Sequence, residues 1–312
     1  MLYFSDREQH NSIKTSMQIS VTVWNGITVL VNKLIRNNNL AKDFPVQCPD
    51  GNGICKVDEQ AFYRSAKAII PNIFFLPNCG NIEVLSSTFF DQNPFEDESE
   101  HKEKLKQFTF DVLDFIEFVF KHISDVENAH YHESFNHYEL KFLTTTTARE
   151  QFITDINEIF YRNNLAFKLT ANGQIERIID KELNNLIANN DSSDEAILDN
   201  LITEAIDKIK NPRFEERKFA LERLWDAFER IKSFNNPNNK KNSANKLIQT
   251  ASGDNQNIKD LLNTECKCLT DIGNKFQIRH YEMGKIPIND SDYIDYLFFR
   301  MYTIIQFFIK KQ

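Results

Sequence analysis

Apolar residues recur at helical spacing along most of the first half of the chain. Positions three and four apart share one face of a helix, so this spacing is typical of amphipathic helices. The predicted helices of this half span residues 24–35, 57–68, 102–123 and 147–161. Asp58, at the start of the second of them, is expected to cap it. Residues 138–142 are predicted to form a short strand.

The clearest β signal is a pair of short alternating runs joined by Asn172 and Gly173. Residues 165–169 and 175–179 alternate apolar and polar side chains, with the Asn-Gly pair between them. Such a pair favours the tight turn of a hairpin, because both residue types tolerate a positive φ. We therefore expect a β-hairpin here.

Beyond Asp180 almost every segment has the helical pattern. The predicted helices span residues 183–189, 193–209, 213–234, 243–251, 258–280 and 292–310. Ser192 or Ser193 is expected to cap the second of these. The predicted fold class is mainly α with a minor β part: an α+β N-terminal domain over residues 1–180, followed by an all-α helical bundle over residues 181–312.

The composition adds expectations about the core and the environment. With 27 Phe against 9 Tyr and 2 Trp, the core is expected to be packed largely with phenylalanine. Five cysteines without a paired CxxC motif are typical of reduced thiols in the cytoplasm. Charges interrupt the first twelve residues, and the apolar stretch 297–309 is too short to cross a bilayer. We expect a cytoplasmic protein without a membrane partner.

The net charge of -8 argues against attraction of nucleic acid to the whole surface, but it leaves room for a local basic face. Residues 213–246 carry nine Lys or Arg against five acids, an excess of four positive charges. The candidate nucleic-acid-binding residues are Arg223, Arg230, Lys240, Lys241 and Lys246. The alternative is an ordinary charged helix surface stabilised by pairs four residues apart.

A second constellation lies at the predicted end of the 258–280 helix. The candidate catalytic residues are Arg279, His280, Glu282 and Lys285, and Asp271 and Asn274 are expected to support them. An arginine can bind a phosphate through two parallel hydrogen bonds, and a histidine can transfer protons near neutral pH. The alternative is a set of solvated ion pairs, with His280 stabilising the C-terminal end of the helix.

The remaining motifs give weaker indications of function. His130, His132 and His137 have a spacing that could surround Zn²⁺, but a hydrogen-bonded joint between helix and strand is the preferred interpretation. Cys48, Cys55 and Cys79 are irregularly spaced and are interpreted as small apolar residues. We therefore predict no metal and no cofactor. The absence of P-loop, GxGxxG, GxSxG and HExxH motifs argues against NTPases, dinucleotide enzymes, hydrolases and metalloproteases.

Several stretches resemble a known family. The N-terminal part resembles an AbiJ-type abortive-infection N-terminal domain in Phe4-Ser5-Asp6-Arg7, in Trp24-x-Gly26 and in the run FPVQCPDGNG at 44–53. Residues 224–230, 271–282 and 295–300 resemble the helical domain found with it, which is similar to the HEPN superfamily (higher eukaryotes and prokaryotes nucleotide-binding).

This resemblance implies a bacterial anti-phage or toxin-type protein whose bundle dimerises and cleaves RNA without a metal. The superfamily's RNase motif has an Arg, a polar residue, and a His a few residues further on. Arg279 matches the Arg and His280 the polar neighbour, but positions 284–286 are Gly, Lys and Ile, so the distal His is missing. Either Glu282 and Lys285 take over the proton transfer, or the domain binds RNA or nucleotide without cutting it.

Three hypotheses follow for the function. The first is an RNA-cleaving abortive-infection effector. The second is a sensor or interaction module that binds RNA or nucleotide, with the N-terminal domain recognising a phage-derived trigger. The third is a scaffold in which Arg279 and Glu282 only fix the end of a helix. A homodimer is expected under the first hypothesis.

Overall fold

The computed structural model describes residues 16–73, 97–179, 181–233, 239–278 and 284–312. The chain divides into two compact units, Met1–Ile178 and Ile179–Gln312. Each unit has its own apolar core. The described residues are mainly helical with small antiparallel sheets, which confirms the predicted fold class.

Among the described residues, four helices form the frame of the N-terminal unit. They are α1 (Val21–Arg36), α2 (Glu59–Ile69), α3 (Glu98–His122) and α4 (Thr147–Arg162). Trp24 of α1 is fully buried and its ring lies 6.2 Å from that of Phe108 and 5.9 Å from that of Phe115, both on α3. The long helix α3 therefore forms the centre of this core.

In the described part of this unit, the β structure consists of three two-stranded antiparallel sheets. The strands are β1 (Pro45–Gln47) with β2 (Ile54–Val57), β3 (Val126–His132) with β4 (His137–Phe142), and β5 (Phe167–Leu169) with β6 (Ile175–Arg177). The last pair confirms the predicted Asn-Gly hairpin. Gly173 has a φ of +83°, and a Cβ atom there would lie 2.0 Å from the ring of Phe120, so both the turn and the close packing require glycine.

A buried carboxylate fixes the start of α4. Asp125 is 8% exposed and accepts hydrogen bonds from the amides of Thr147 (2.9 Å) and Ala148 (2.7 Å) and from the hydroxyl of Thr145. Burial alone would raise the pKa of Asp125. The hydrogen bonds from Thr145, Ala148 and Thr147 outweigh it, so the pKa lies below the ordinary value of an aspartate.

This carboxylate predicts how the stability of the N-terminal unit depends on pH. Because the pKa is lower in the folded state, the contribution of Asp125 is complete above the unfolded-state pKa of about 3.9 and is lost as the pH falls through the folded-state value. We expect Asp125→Asn to lower the free energy of unfolding at pH 7 by about 1–2 kcal/mol. The difference from wild type should shrink below pH 4.

Urea titrations at pH 7, 4 and 3 measure this difference. The chain has two tryptophans, so Trp24 fluorescence in a Trp225→Phe background reports on the N-terminal unit. A wild-type-to-variant difference that stays constant from pH 7 to pH 3 would contradict the role given to Asp125.

Six described helices build the C-terminal unit. They are α5 (Lys181–Ala188), α6 (Ala196–Ile209), α7 (Phe214–Ser233), α8 (Lys240–Ser252), α9 (Gln256–Lys275) and α10 (Ser291–Lys311). The core between them contains large buried rings, among them Trp225, Phe228, Phe298, Tyr302 and Phe308. In the N-terminal unit, the fully buried rings include Phe62, Phe115, Phe160 and Phe167. The prediction of a phenylalanine-rich core is therefore confirmed in both units.

Several helix ends differ from the prediction. The helices α1, α3 and α8 begin three or four residues earlier than expected, and two further differences have a visible physical cause. The helix expected to reach His280 ends at Lys275, because Phe276 is extended (φ -98°, ψ 152°) and forms an isolated bridge with Ile286. The helix expected to start at Ser193 starts at Ala196 instead, and the prediction of Ser192 or Ser193 as its cap is wrong, because Glu195 occupies the N-cap position. Asp199 accepts hydrogen bonds from the Ser193 amide and the Ser192 hydroxyl, which holds these serines outside the helix. Within the described ranges, no helix is long and apolar enough to span a bilayer.

Candidate nucleic-acid interface

A basic groove lies in the C-terminal unit between the last turn of α7, the first half of α8 and the second half of α9. Its volume is about 400 Å³. We call it the lysine groove, because Lys232, Lys240, Lys241 and Lys267 line it and Glu229 and Asp271 are the acids along its wall. The lining therefore carries a net charge of two positive units.

Helical spacing explains how three helices contribute to one hollow. On α9 the lining residues Asn263, Lys267, Thr270 and Asp271 recur at intervals of three and four, so they share one face. On α8 the lining positions Lys240, Ala244 and Ile248 repeat every four residues. The same spacing that produces amphipathic helices therefore places amides and lysines side by side around the groove.

The floor of the groove is apolar and chemically inert. Ile248 and Cys266 are 4% and 7% exposed. Burial raises the pKa of the Cys266 thiol to about 11, while Lys232 lowers it and Glu265 raises it by smaller amounts. The thiol is therefore protonated at neutral pH and is not a nucleophile.

One lysine of the groove is held in a fixed position. The Lys232 ammonium donates hydrogen bonds to Glu229 (2.6 Å) and to the Thr270 hydroxyl (3.0 Å), and it lies 4.3 Å from the centroid of the Phe228 ring. Its side chain is 15% exposed. Lys232 thus links α7 to α9 and supplies a positive charge at a defined depth.

The other three lysines are exposed and available to a ligand. No hydrogen bond or ion pair with another residue of the described ranges engages Lys240, Lys241 or Lys267. Lys240 and Lys241 also occupy the first turn of α8, which contains no acid. The free amides and dipole of a helix N-terminus favour anions, so these two lysines add to a field that is already positive.

The remaining predicted basic residues are arranged differently. Arg230 forms a two-point ion pair with Glu195, in which its Nε lies 2.7 Å from the carboxylate. Arg223 lies 3.7 Å from Glu222 and 3.6 Å from Asp226, and its guanidinium stacks on the Phe219 ring at 4.7 Å. Lys246 is exposed on α8 but does not line the groove.

The predicted catalytic residues fall largely outside the described residues. This applies to Arg279, His280 and Glu282. Lys285 is described, and its ammonium donates to the carbonyl of Gly273 at 3.1 Å, which satisfies an orphan acceptor near the end of α9. Of the predicted supporting residues, Asp271 lines the groove and Asn274 is exposed.

The described residues on either side of 279–283 are joined to the end of α9. The Gln277 amide donates to the carbonyl of Ile286 (2.8 Å), and the Ile286 amide donates to the carbonyl of Lys275 (3.1 Å). The described residues before and after 279–283 are therefore both hydrogen-bonded near the C-terminal end of α9. That end, Lys275, lies four residues beyond Asp271 of the lysine groove.

The structure also brings together two of the three candidate histidines of the N-terminal unit. His132 and His137 meet Cys48, whereas exposed His130 does not belong to this group. Local spacing along the chain does not reveal this group, because more than eighty residues lie between Cys48 and His132.

Lys232 and Lys267 are functional candidates that the sequence analysis did not single out. Lys232 lies within the basic segment, but nothing in the local pattern separates it from its neighbours. Lys267 lies outside that segment. The spacing of Asn263, Lys267 and Asp271 along one helix face was the only available signal for a polar stripe.

Comparison with known proteins identifies part of the chain. The family model described as AbiJ N-terminal domain 4 matches residues 2–191, which is more than half of the 312 residues. The match covers the N-terminal unit and α5, and it ends before the helices that form the lysine groove. No curated protein and no solved structure matches the chain.

Proposed function

The chain belongs to the AbiJ N-terminal domain 4 family, which makes it an abortive-infection protein of antiviral defence, and we propose that its C-terminal unit binds RNA in the lysine groove and cleaves it. In this proposal the N-terminal unit recognises a phage-derived trigger. The bundle acts as a homodimer, as the resemblance to the HEPN superfamily implies.

The observation that carries this proposal is the lysine groove itself. Three lysines without a partner among the described residues, together with the positively polarised start of α8, surround a groove in a chain whose net charge is -8. A concentration of positive charge on an acidic protein favours one binding region for phosphates over the rest of the surface. The exposed amides of Asn245 and Asn263 provide donors and acceptors for riboses or bases along the same wall.

Cleavage is proposed for the segment that follows α9. His280 or Glu282 would take the proton of a ribose 2′-hydroxyl, and the 2′-oxygen would attack the adjacent phosphorus. The 5′-oxygen of the next nucleotide would leave with a proton from the other of these two groups. Arg279 would stabilise the charge that develops on the phosphate oxygens, with Lys285 nearby. The products would be a 2′,3′-cyclic phosphate and a free 5′-hydroxyl.

One observation favours a second candidate function, RNA or nucleotide binding without cleavage. Lys285, which would have to replace part of the missing distal His, donates to the Gly273 carbonyl and so helps to hold the end of α9. A lysine whose ammonium is engaged by a backbone carbonyl stabilises the fold and is less available for proton transfer in RNA cleavage. The lysine groove would serve this sensor equally well.

Charge reversal in the groove tests the binding proposal. We expect Lys240→Glu with Lys241→Glu to raise the Kd for single-stranded RNA at least about tenfold, because two phosphate contacts are lost and two repulsive charges are added. Fluorescence anisotropy with labelled 2′-O-methyl RNA measures this change. That RNA lacks the hydroxyl that would attack, so binding is separated from cleavage.

The matched control is Lys310→Glu with Lys311→Glu, two exposed positions in the last turn of α10. This pair changes the net charge of the chain by the same amount, away from the groove lining. Equal losses of affinity in the two double variants, or no loss in either, would contradict binding in the lysine groove.

A further inference from the structure

The N-terminal unit contains a compact group of potential metal ligands. One ligand atom each of Cys48, His132 and His137 lies within 4.8 Å of the other two. The Cys48 Sγ is 3.3 Å from Nδ1 of His132, and the Asp50 carboxylate is 3.5 Å from the same nitrogen. We propose that this group binds a zinc ion, with Cys48, His132 and His137 as ligands and Asp50 at the fourth position.

Two hairpins bring the ligands together. Cys48 directly follows β1, and the turn is closed by hydrogen bonds from the Cys48 amide to the Gly53 carbonyl (2.9 Å) and from the Gly51 amide to the Cys48 carbonyl (2.8 Å). His132 and His137 are cross-strand partners at the end of the β3–β4 hairpin. Side chains of such a pair project from the same face about 5 Å apart, so both imidazoles face Cys48.

The two hairpins pack closely, which fixes this arrangement. A Cβ atom on Gly53, whose φ is +87°, would lie 3.3 Å from the carboxyl carbon of Glu139 on β4. Phe135 supports both imidazoles, with its ring 4.8 Å from that of His132 and 6.2 Å from that of His137. The ligand atoms therefore converge without a large movement of the backbone.

The distances fit tetrahedral zinc. With Zn–S near 2.3 Å and Zn–N or Zn–O near 2.0–2.2 Å, neighbouring ligand atoms of a tetrahedron lie roughly 3.3–3.6 Å apart. The separations of Cys48 and of Asp50 from His132 Nδ1 already have these values. The His137 ligand atom lies within the 4.8 Å spread of the group of three, so a side-chain rotation brings it to coordination distance. Asp50 lies outside that group and approaches the fourth position through its contact with His132.

Burial and hydrogen bonding support a ligand at this position. Cys48 is 2% exposed, and Nε2 of His137 is buried without a hydrogen-bond partner among the described residues. A buried polar atom of this kind is unusual in a folded protein, and metal coordination would satisfy it. The Asn52 amide donates to one oxygen of Asp50 (2.8 Å) and so leaves the other oxygen directed at His132.

The donor set selects the metal. One thiolate with two imidazoles suits a borderline-soft ion such as Zn²⁺ better than Mg²⁺ or Ca²⁺, which prefer oxygen ligands. Zn²⁺ replaces the proton of the Cys48 thiol, which passes to solvent, and both imidazoles bind as neutral ligands. The thiolate and the Asp50 carboxylate balance the charge of the ion. With four protein ligands the site would tie the β1–β2 turn to the β3–β4 hairpin.

The experiment uses the full chain without a histidine tag, stripped with EDTA and dialysed. Isothermal titration with ZnCl₂ and a chelator-competition assay are expected to show one zinc ion per chain. Cys48→Ser and His137→Ala are each expected to weaken binding at least about a hundredfold, since the loss of a ligand should cost at least as much as the loss of an outer-shell partner. Co²⁺ in place of zinc should give a thiolate charge-transfer band that Cys48→Ser removes.

Matched controls lie on the same two hairpins. His130→Ala and Cys55→Ser are expected to bind zinc as wild type does, because neither residue belongs to the group. Circular dichroism of the metal-free proteins checks folding. If a ligand variant unfolds, Asp50→Asn serves instead. Because its amide oxygen can still coordinate and only the negative charge is lost, it should weaken binding about tenfold. Three results would overturn the proposal. They are no zinc binding by wild type, binding of copper but not of zinc, and unchanged zinc affinity in the ligand variants.

Discussion

Gly273→Ala is expected to destabilise the C-terminal unit by about 3 kcal/mol and to lower its Tm by roughly 10 °C. A Cβ atom at this position of α9 would lie 1.8 Å from the ring of Trp225 on α7. An indole ring that is 5% exposed cannot move aside without disturbing its neighbours. The better helix propensity of alanine, about 1 kcal/mol, is too small to offset this clash.

A double-mutant cycle separates the clash from other effects. Trp225→Leu leaves room beside α9, so Gly273→Ala should cost much less in that background than in wild type. Asn274→Ala, at an exposed neighbouring position of the same helix, should change the Tm little. Differential scanning calorimetry measures the four proteins of the cycle and this control. Equal effects of Gly273→Ala in wild type and in the Trp225→Leu background would contradict the packing argument.

Cleavage of RNA by the wild-type chain in the presence of EDTA is expected to slow at least about a hundredfold in Arg279→Ala with His280→Ala. General acid–base catalysis and stabilisation of developing charge each contribute factors of this size or larger. Gel electrophoresis of end-labelled single-stranded RNA gives the rate, and mapping of the ends tests for the 2′,3′-cyclic phosphate.

Lys275→Ala is the control for this experiment, because it removes a nearby positive charge at the end of α9 and leaves the proposed pair intact. A contaminating nuclease would cut equally in every preparation. Cleavage at one rate in wild type and in the double variant would show that the segment is not the catalytic site. No cleavage by wild type, with binding in the lysine groove retained, would favour the sensor.

Local patterns predicted those parts of the fold that local forces determine. Asp58 caps α2 as expected, with its carboxylate accepting from the Ala61 amide at 2.9 Å. The Asn172–Gly173 turn joins β5 to β6 because the turn residues and the alternating strands agree. In each case the interacting residues lie within a few positions of one another.

Interactions between distant residues explain the differences from the prediction. The helical spacing continues past Lys275, yet α9 ends there because Gln277 and Ile286 pair across a stretch of chain that the local pattern does not reveal. The strand β3, which carries His130 and His132, has few apolar positions, so the local pattern favours a joint there. It forms because β4 completes its hydrogen bonds.

The two candidate sites were only partly predictable for the same reason. Lys240 and Lys241 were identified from a local excess of basic residues. Lys267 and the fixed position of Lys232 depend on how α7 and α9 pack around α8. The zinc group combines the turn after β1 with the end of the β3–β4 hairpin, so spacing along the chain could not pair Cys48 with the histidines.

The salt dependence of RNA binding shows whether the lysine groove contacts phosphates. For single-stranded nucleic acid, each phosphate contact contributes about 0.7 to the slope of log Kd against log salt concentration. We expect Lys240→Gln with Lys241→Gln to lower this slope by about 1.4, whereas Lys310→Gln with Lys311→Gln leaves it unchanged. The same slope in wild type and in the groove variant would show that these two lysines do not contact phosphates.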